Sequence, residues 1–356
     1  MLKNPLIRFV LRPLWALSVL SRAAGEAPPP NASFIDDLGR THVTRVVSVP
    51  VTVSPEARAR LAKPPPSILS SGATIAEQRE RIDARQALDA AACPEIYPAT
   101  VGEAKIAGVP VRVVTPRVSD AGKSGRVLIN LHGGGFRTDA GSLLESIPIA
   151  SLTRTKVIAV LYRLAPEHAF PAAVDDAVAV YRELLSTHSP NNIGLYGTSA
   201  GAILTAETAV RIKQLGLPMP AVLGIFSGWG DFGKAGDSLA LFGLQGLAGS
   251  LLPHGPGALL PEYVGSADST NPVLSPAYAD LHGMPPTLFL TSTRDMLLSG
   301  TVMLHQAFLR ADVDARLAVF EALPHAFWLD ASLPESRAAN EMMARFLDEH
   351  LGKPRR

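Results

Sequence analysis

The chain has 356 residues, a formal net charge of +1, and 47% hydrophobic against 18% charged residues, which is the balance of a well-buried globular protein. No lysine–arginine stripe offers a nucleic-acid footprint, and the single cysteine, Cys93, excludes an intramolecular disulfide and a cysteine-based metal cluster. Length allows one large α/β domain with additions or two modest domains.

At the N-terminus, Lys3, Arg8 and Arg12 precede a short apolar run from Leu14 to Leu20, with Ala23, Ala24 and Gly25 beyond. That is the plan of a poor secretory signal, since Arg12-Pro13 crowds the run and Arg22 falls where cleavage sites prefer neutral residues. The run is far too short to span a bilayer. The alternative is an amphipathic helix lying on the rest of the protein or on a membrane surface, so any membrane contact is expected here. The expected location is cytoplasmic, with secretion or the periplasm as alternatives. Pro28 to Pro30 and Pro64 to Pro66 read as stiff linkers. Between Ser54 and Ala92 the segment from Ile75 reads as a charged helix.

Strands and helices then alternate, which argues for a mostly parallel sheet flanked by helices. Val109 to Val114 and Arg126 to Leu131 read as early strands. The second empties into His132-Gly133-Gly134-Gly135-Phe136. Three glycines after a strand expose backbone N–H groups that no side chain shields, a geometry that suits an oxyanion. His132 reads as an orienting group of that loop. Lys156 to Tyr162 is a further strand, and Tyr162 to His168 a bend that braces the loop. Pro171 to Ser186 reads as a helix with Val174, Val178, Val180 and Leu184 inward and Asp175, Asp176 and Glu183 more exposed.

Asn192 to Tyr196 leads into Gly197-Thr198-Ser199-Ala200-Gly201 and a helix-like run. Gly-x-Ser-x-Gly between strand and helix is the pattern of a nucleophile elbow, in which small flanking residues let strand and helix approach. Ala221 to Phe226 is the next strand, followed by a Leu-, Gly- and Pro-rich stretch, residues 228–271. Pro286 to Thr293 reads as a strand delivering Asp295, and Ala315 to Phe320 as one delivering His325. Glu335 to His350 closes the chain as an amphipathic helix.

A serine hydroxyl needs a base, and an imidazole supplies one near neutral pH. Asp295 could instead cap the helix starting near Leu298, and His325 could be an ordinary loop histidine. The order Ser199, Asp295, His325, each just past a strand, favours a catalytic triad. The cradle falls to Gly134, Gly135 and Ala200 as donors, with Gly133 letting the loop turn. Such chemistry needs no cofactor, and neither a metal site nor a phosphate-binding loop is visible.

At these motifs the sequence resembles the hormone-sensitive-lipase-type esterases of the α/β-hydrolase superfamily. The likeness rests on His132 to Phe136, Tyr162 to His168, Phe170 to Ala173, the Ser199 elbow, Asp295 and His325, and covers about residues 105 to 350. Thr198 stands where the family usually has an acidic residue, as in a threonine-bearing subgroup, and Met296 replaces the usual proline. Thr291 to Ser299 is similar to members described as monoterpene epsilon-lactone hydrolases. The resemblance implies an α/β-hydrolase fold with a helical cap built from residues 54–104 and 228–271, a core of 105–227 and 272–356, and an N-terminal segment, 1–53. Leu239, Leu241, Phe242, Leu244, Leu247, Leu251 and Leu252 are candidates to line an acyl pocket under that cap. The expected function is hydrolysis of small to medium carboxylic esters, with a lactone or an amide as alternative substrate and a non-catalytic ligand-binding protein as the rival of another class. A homodimer is compatible with the reading.

Overall fold

A computed structural model describes residues 33–43, 48–62, 73–234, 236–242 and 260–353. The basic and apolar run near the N-terminus, both triple prolines, and Leu244, Leu247, Leu251 and Leu252 lie outside the described residues. The chain divides into two units, 1–49 and 50–356. In the first, β1 (Ser33–Ile35) and β2 (Thr41–Val43) pair antiparallel. The Asp36 carboxylate organises their turn by accepting from the N–H groups of Leu38 and Arg40.

The second unit is built on a sheet of eight strands: β3 (Ala99–Ile106), β4 (Val109–Pro116), β5 (Val127–Leu131), β6 (Lys156–Val160), β7 (Ile193–Thr198), β8 (Val222–Phe226), β9 (Thr287–Ser292) and β10 (Ala315–Phe320). Their spatial order is β10-β9-β8-β7-β5-β6-β4-β3. β4 runs against both its neighbours and every other pairing is parallel. Parallel strands are covered on both faces, which is why β5, β7, β8 and β9 are buried at every residue and carry apolar side chains on both faces rather than alternating apolar and charged ones.

The helices are α1 (Pro55–Leu61), α2 (Ile75–Ile96), α3 (Ser146–Thr153), α4 (Ala172–Leu184), α5 (Ala200–Gln214), α6 (Asp237–Phe242), α7 (Pro261–Val264), α8 (Leu298–Arg310) and α9 (Pro334–His350). α4, α5 and α8 supply Val174, Ile203, Val210, Leu304 and Phe308 to one core. α3 and α9 supply Ile147, Ile149, Met343 and Leu347 to the other. Chain order runs from β5 outward to β6, then returns to lay β7 on β5's other side. Their C-terminal ends therefore open a crevice at a topological switch point, where such sheets place ligands.

Two sequence expectations need correction. The sheet begins at Ala99 rather than 105, because β3 is an edge strand whose Gly102, Glu103 and Lys105 face solvent and carry no apolar signal. Asp176 is not an outward residue of α4 but is 8% exposed, and its carboxylate accepts from the Arg163 backbone N–H at 2.9 Å and pairs with the Arg163 guanidinium. Among the described residues no helix is long and apolar enough to cross a membrane.

Candidate active site

Ser199 sits between the end of β7 and the start of α5 with φ 58° and ψ −121°. A residue with a Cβ pays about 1–3 kcal/mol for such a backbone, so surrounding contacts must hold it. The Ser199 N–H donates to the Phe226 carbonyl at 2.9 Å, and its own carbonyl accepts from Ala202 and Ile203. The flanking glycines are steric necessities. A Cβ on Gly197 would stand 2.3 Å from the Leu131 carbonyl oxygen, and one on Gly201 only 1.8 Å from the same atom. The elbow is thereby pressed against the end of β5, where the glycine loop begins. Ser199 itself is half-buried at the positive end of α5.

The loop lies beside the serine. A Cβ placed on Gly133 would be 3.5 Å from the Ser199 Cβ. Gly134 (φ 126°) and Gly135 (φ 63°) occupy backbone conformations that side chains disfavour, and a Cβ on Gly134 would come within 2.0 Å of the Thr138 carbonyl. The Gly133 N–H donates to the Glu145 carboxylate at 2.9 Å, which fits a turning role for this residue. Among the described residues the N–H groups of Gly134, Gly135 and Ala200 donate to no protein acceptor. His132 is buried, stacks on Tyr162 with centroids 4.2 Å apart, and places Nδ1 2.9 Å from the Gly133 carbonyl oxygen. The Tyr162 hydroxyl donates to the His132 carbonyl at 2.7 Å, and the Ala165 N–H to that of Phe136 at 2.8 Å. The bend after β6 thus braces the loop, and His132 orients it.

Asp295 follows β9 and is fully buried. Its Oδ1 lies 2.9 Å from His325 Nδ1 and accepts from the Leu297 N–H at 2.8 Å. Its Oδ2 accepts from the hydroxyls of Ser227 and, at 3.1 Å, Thr291. Burial pushes this carboxyl upward, but the His325 imidazole and hydrogen bonds from His325, Ser227 and Leu297 outweigh it and hold the group below the ordinary aspartate value. An ionised Asp295 accepts a proton-bearing Nδ1, which leaves the His325 Nε2 lone pair as the basic site. Among the described residues no hydrogen bond yet joins Nε2 to the Ser199 hydroxyl, an alignment that catalytic pairs often complete only with substrate bound. The two loops are nonetheless tied: Trp328, three residues past His325, donates Nε1–H to the Thr198 hydroxyl at 3.1 Å.

Sequence reasoning missed Ser227, Thr291, Trp328 and Glu145. Ser227 had a readable signal, since it is the first residue past β8. Glu145 was a lone acid inside the apolar run Leu143 to Ile149. Among the described residues no group of three His, Cys, Asp or Glu side chains could hold a metal ion.

Both segments expected to form a cap reach this loop. From α2, Arg79 donates to the carbonyls of Arg137 and Ala165 and pairs with Glu167 at 2.7 Å. From α7, the Tyr263 ring stacks on Phe136 at 3.5 Å and Glu262 pairs with Arg137 at 3.0 Å. Of the candidate pocket residues, Leu239 packs against the core and Leu241 is exposed.

A sequence model of the alpha/beta hydrolase fold matches residues 128–329. An acetyl-hydrolase of Streptomyces hygroscopicus is 33% identical over 244 residues, 66% of this chain and 80% of the relative. Carboxylesterase NlhH of Mycobacterium tuberculosis is 30% identical over 254 residues, 66% of this chain and 77% of the relative. A crystallised esterase superposes with a TM-score of 0.74 at 31% identity, covering 86% of this chain and 97% of its own. An esterase described as from the bacterial hormone-sensitive lipase family superposes with a TM-score of 0.68 at 28% identity, covering 83% and 96%.

Proposed function

Because the chain belongs to the hormone-sensitive-lipase family of the α/β hydrolase fold and is a carboxylic ester hydrolase, we propose that Ser199, His325 and Asp295 carry its reaction, on esters of small to medium acyl groups. The observation that supports this best is the fully buried Asp295 bound to His325 Nδ1 at 2.9 Å, on a loop tied through Trp328 to the strained serine elbow. The Ser199 oxygen attacks the ester carbonyl carbon while its proton passes to His325 Nε2. Negative charge gathers on the former carbonyl oxygen, which the N–H groups of Gly134, Gly135 and Ala200 receive. His325 returns the proton to the departing alcohol as the carbon–oxygen bond breaks, leaving an acyl group on Ser199. Water then attacks that ester with His325 again taking a proton, and the carboxylic acid leaves as Ser199 regains its hydrogen.

The likeness to an acetyl-hydrolase favours a short acyl group here. The likeness of residues 291–299 to lactone hydrolases makes a cyclic ester the second substrate class to test. The decisive experiment compares wild type with S199A on a series of p-nitrophenyl esters of increasing acyl length and on medium-ring lactones. S199A is expected to lose on the order of 10⁴-fold or more in kcat while still folding. Near-normal turnover by S199A refutes the nucleophile. The chain length giving the highest kcat/KM, or a preference for lactones, fixes the substrate class.

A further inference from the structure

Glu145, at the start of α3, is 4% exposed and plays no part in the chemistry above. Its Oε1 accepts the Gly133 N–H at 2.9 Å, and its Oε2 meets Asn130 Nδ2 at 2.8 Å. The Thr198 hydroxyl bears on it as a weaker donor, and that same hydroxyl accepts from Trp328. The carboxylate also fills the space against Gly141, where a Cβ would fall 1.9 Å from Oε1. One side chain is thus in touch with the end of β5 through Asn130, with the glycine loop through Gly133, and with the serine elbow through Thr198. Through Thr198 and Trp328 it also reaches the loop that carries His325.

We propose that Glu145 is a positioning residue: by holding the Gly133 N–H turned inward, it fixes the peptide planes so that Gly134 and Gly135 keep theirs free for the oxyanion beside Ser199. A glycine loop has no side chains with which to hold its own shape, and two of its residues sit at positive φ. Its carbonyls are held by the turn itself, that of Gly133 by the Ala140 N–H and that of Gly134 by the Arg137 and Thr138 N–H groups, but among the described residues the one glycine N–H that is held is that of Gly133, and Glu145 is its acceptor. The role rests on the reading of Ser199 as nucleophile given above. It asks only for hydrogen bonding, not for charge. The Asn130 Oδ1 is buried without a partner, and turning that amide would let it accept from a neutral carboxyl or from a glutamine at 145.

The test therefore compares E145M, which keeps length and loses the hydrogen bonds, with E145Q, which keeps them. Both are measured beside wild type and S199A, with folding checked by circular dichroism. E145M is expected to lower kcat about 10- to 100-fold with KM within about twofold, because an interaction felt in the transition state is lost rather than one in substrate binding. E145Q is expected to stay within about threefold of wild type in kcat, the rescue that loss of packing alone would not give. Should E145M fail to fold, N130L removes the neighbour that steadies Oε2 and is expected to lower kcat at least threefold at unchanged KM. Folded E145M or N130L with wild-type kcat overturns the proposal, as does an E145Q as impaired as E145M. If S199A is inactive in the same series, such a result removes only the role of Glu145. If S199A is active, the nucleophile assignment falls first.

Discussion

Replacing Gly201 by alanine adds one carbon to a helix that otherwise favours alanine, so an isolated helix would gain about 0.5–1 kcal/mol. The structure reverses that sign. The new Cβ would sit 1.8 Å from the Leu131 carbonyl oxygen, 2.5 Å from its carbonyl carbon and 2.7 Å from the His132 oxygen. All three are backbone atoms at the end of β5, a strand paired on both sides by β6 and β7. No rotamer change relieves the overlap, so α5 must move away by roughly 1.5 Å to reach an ordinary contact distance. Overpacking of this kind costs about 1–3 kcal/mol, and a rigid backbone on the far side places G201A at the upper end. The same shift carries Ser199 away from the glycine loop, and a displacement of about 1 Å can cost on the order of 100-fold in rate. Urea unfolding and kcat on a short p-nitrophenyl ester, measured against G102A, test both parts. Gly102 lies on the exposed edge strand with nothing within 4 Å of an added Cβ, so that control should leave kcat unchanged and stability unchanged or raised by no more than about 1 kcal/mol. A G201A protein with wild-type midpoint and kcat would refute the contact between elbow and β5 on which the site is built.

D295N keeps the shape of the acid but cannot hold a protonated imidazole, so kcat at pH 7 should fall about 10³- to 10⁴-fold; a loss under tenfold contradicts the pairing. S227A removes a buried hydroxyl that donates to Asp295 and should destabilise by about 1.5–3 kcal/mol at neutral pH. Because Asp295 is held below its ordinary value, the stability it contributes is present above the unfolded carboxyl value and disappears as pH falls through the folded one. The S227A deficit in urea midpoint should therefore shrink in acid, and a constant deficit speaks against an ionised Asp295. Glu145 works in the opposite direction: burial, reinforced by the nearby Asp139 charge and only partly offset by Asn130 and Gly133, pushes it up to about 8. Its contribution to stability is then full below the unfolded value and lost as pH rises through about 8. Wild type should lose a few kcal/mol more than E145Q between pH 5 and pH 9, measured by urea unfolding, and parallel curves refute the raised value.

The residues of the candidate triad were legible because the elements that carry them have the strongest sequence signals. β7, β9 and β10 are six-residue strands built around apolar residues, each closed by turn-forming residues, and the structure ends each within two residues of the sequence reading. β3 was missed because an edge strand facing water has no apolar face to announce it. α3 was missed for the opposite reason: six of its eight residues are buried, so no polar side marks a helical period, and Pro148 suggests a loop. The fold and the family follow from what the core strands and motifs dictate locally.

What holds the site in shape was harder to read, since it depends on pairs that chain distance conceals. Ser227 and Asp295 lie 68 residues apart, Trp328 and Thr198 130 apart. Ser227, Trp328 and Thr198 show no such role within their own segments and acquire one only where the sheet brings the C-terminal ends of its strands together. Thr198 illustrates the point. Read alone, it departs from the acidic residue usual at this elbow position; in place, it accepts from Trp328 while facing the buried Glu145. A carboxylate there would put a second negative charge beside a group that burial already pushes toward neutrality, and like charges in a dry site are costly. The hydroxyl avoids that repulsion and can still accept from one neighbour and donate to the other. T198D should accordingly be less stable than T198S at pH 8, with the gap narrowing as the added acid is protonated; equal stability of the two at pH 8 would mean that Glu145 and residue 198 do not share one site.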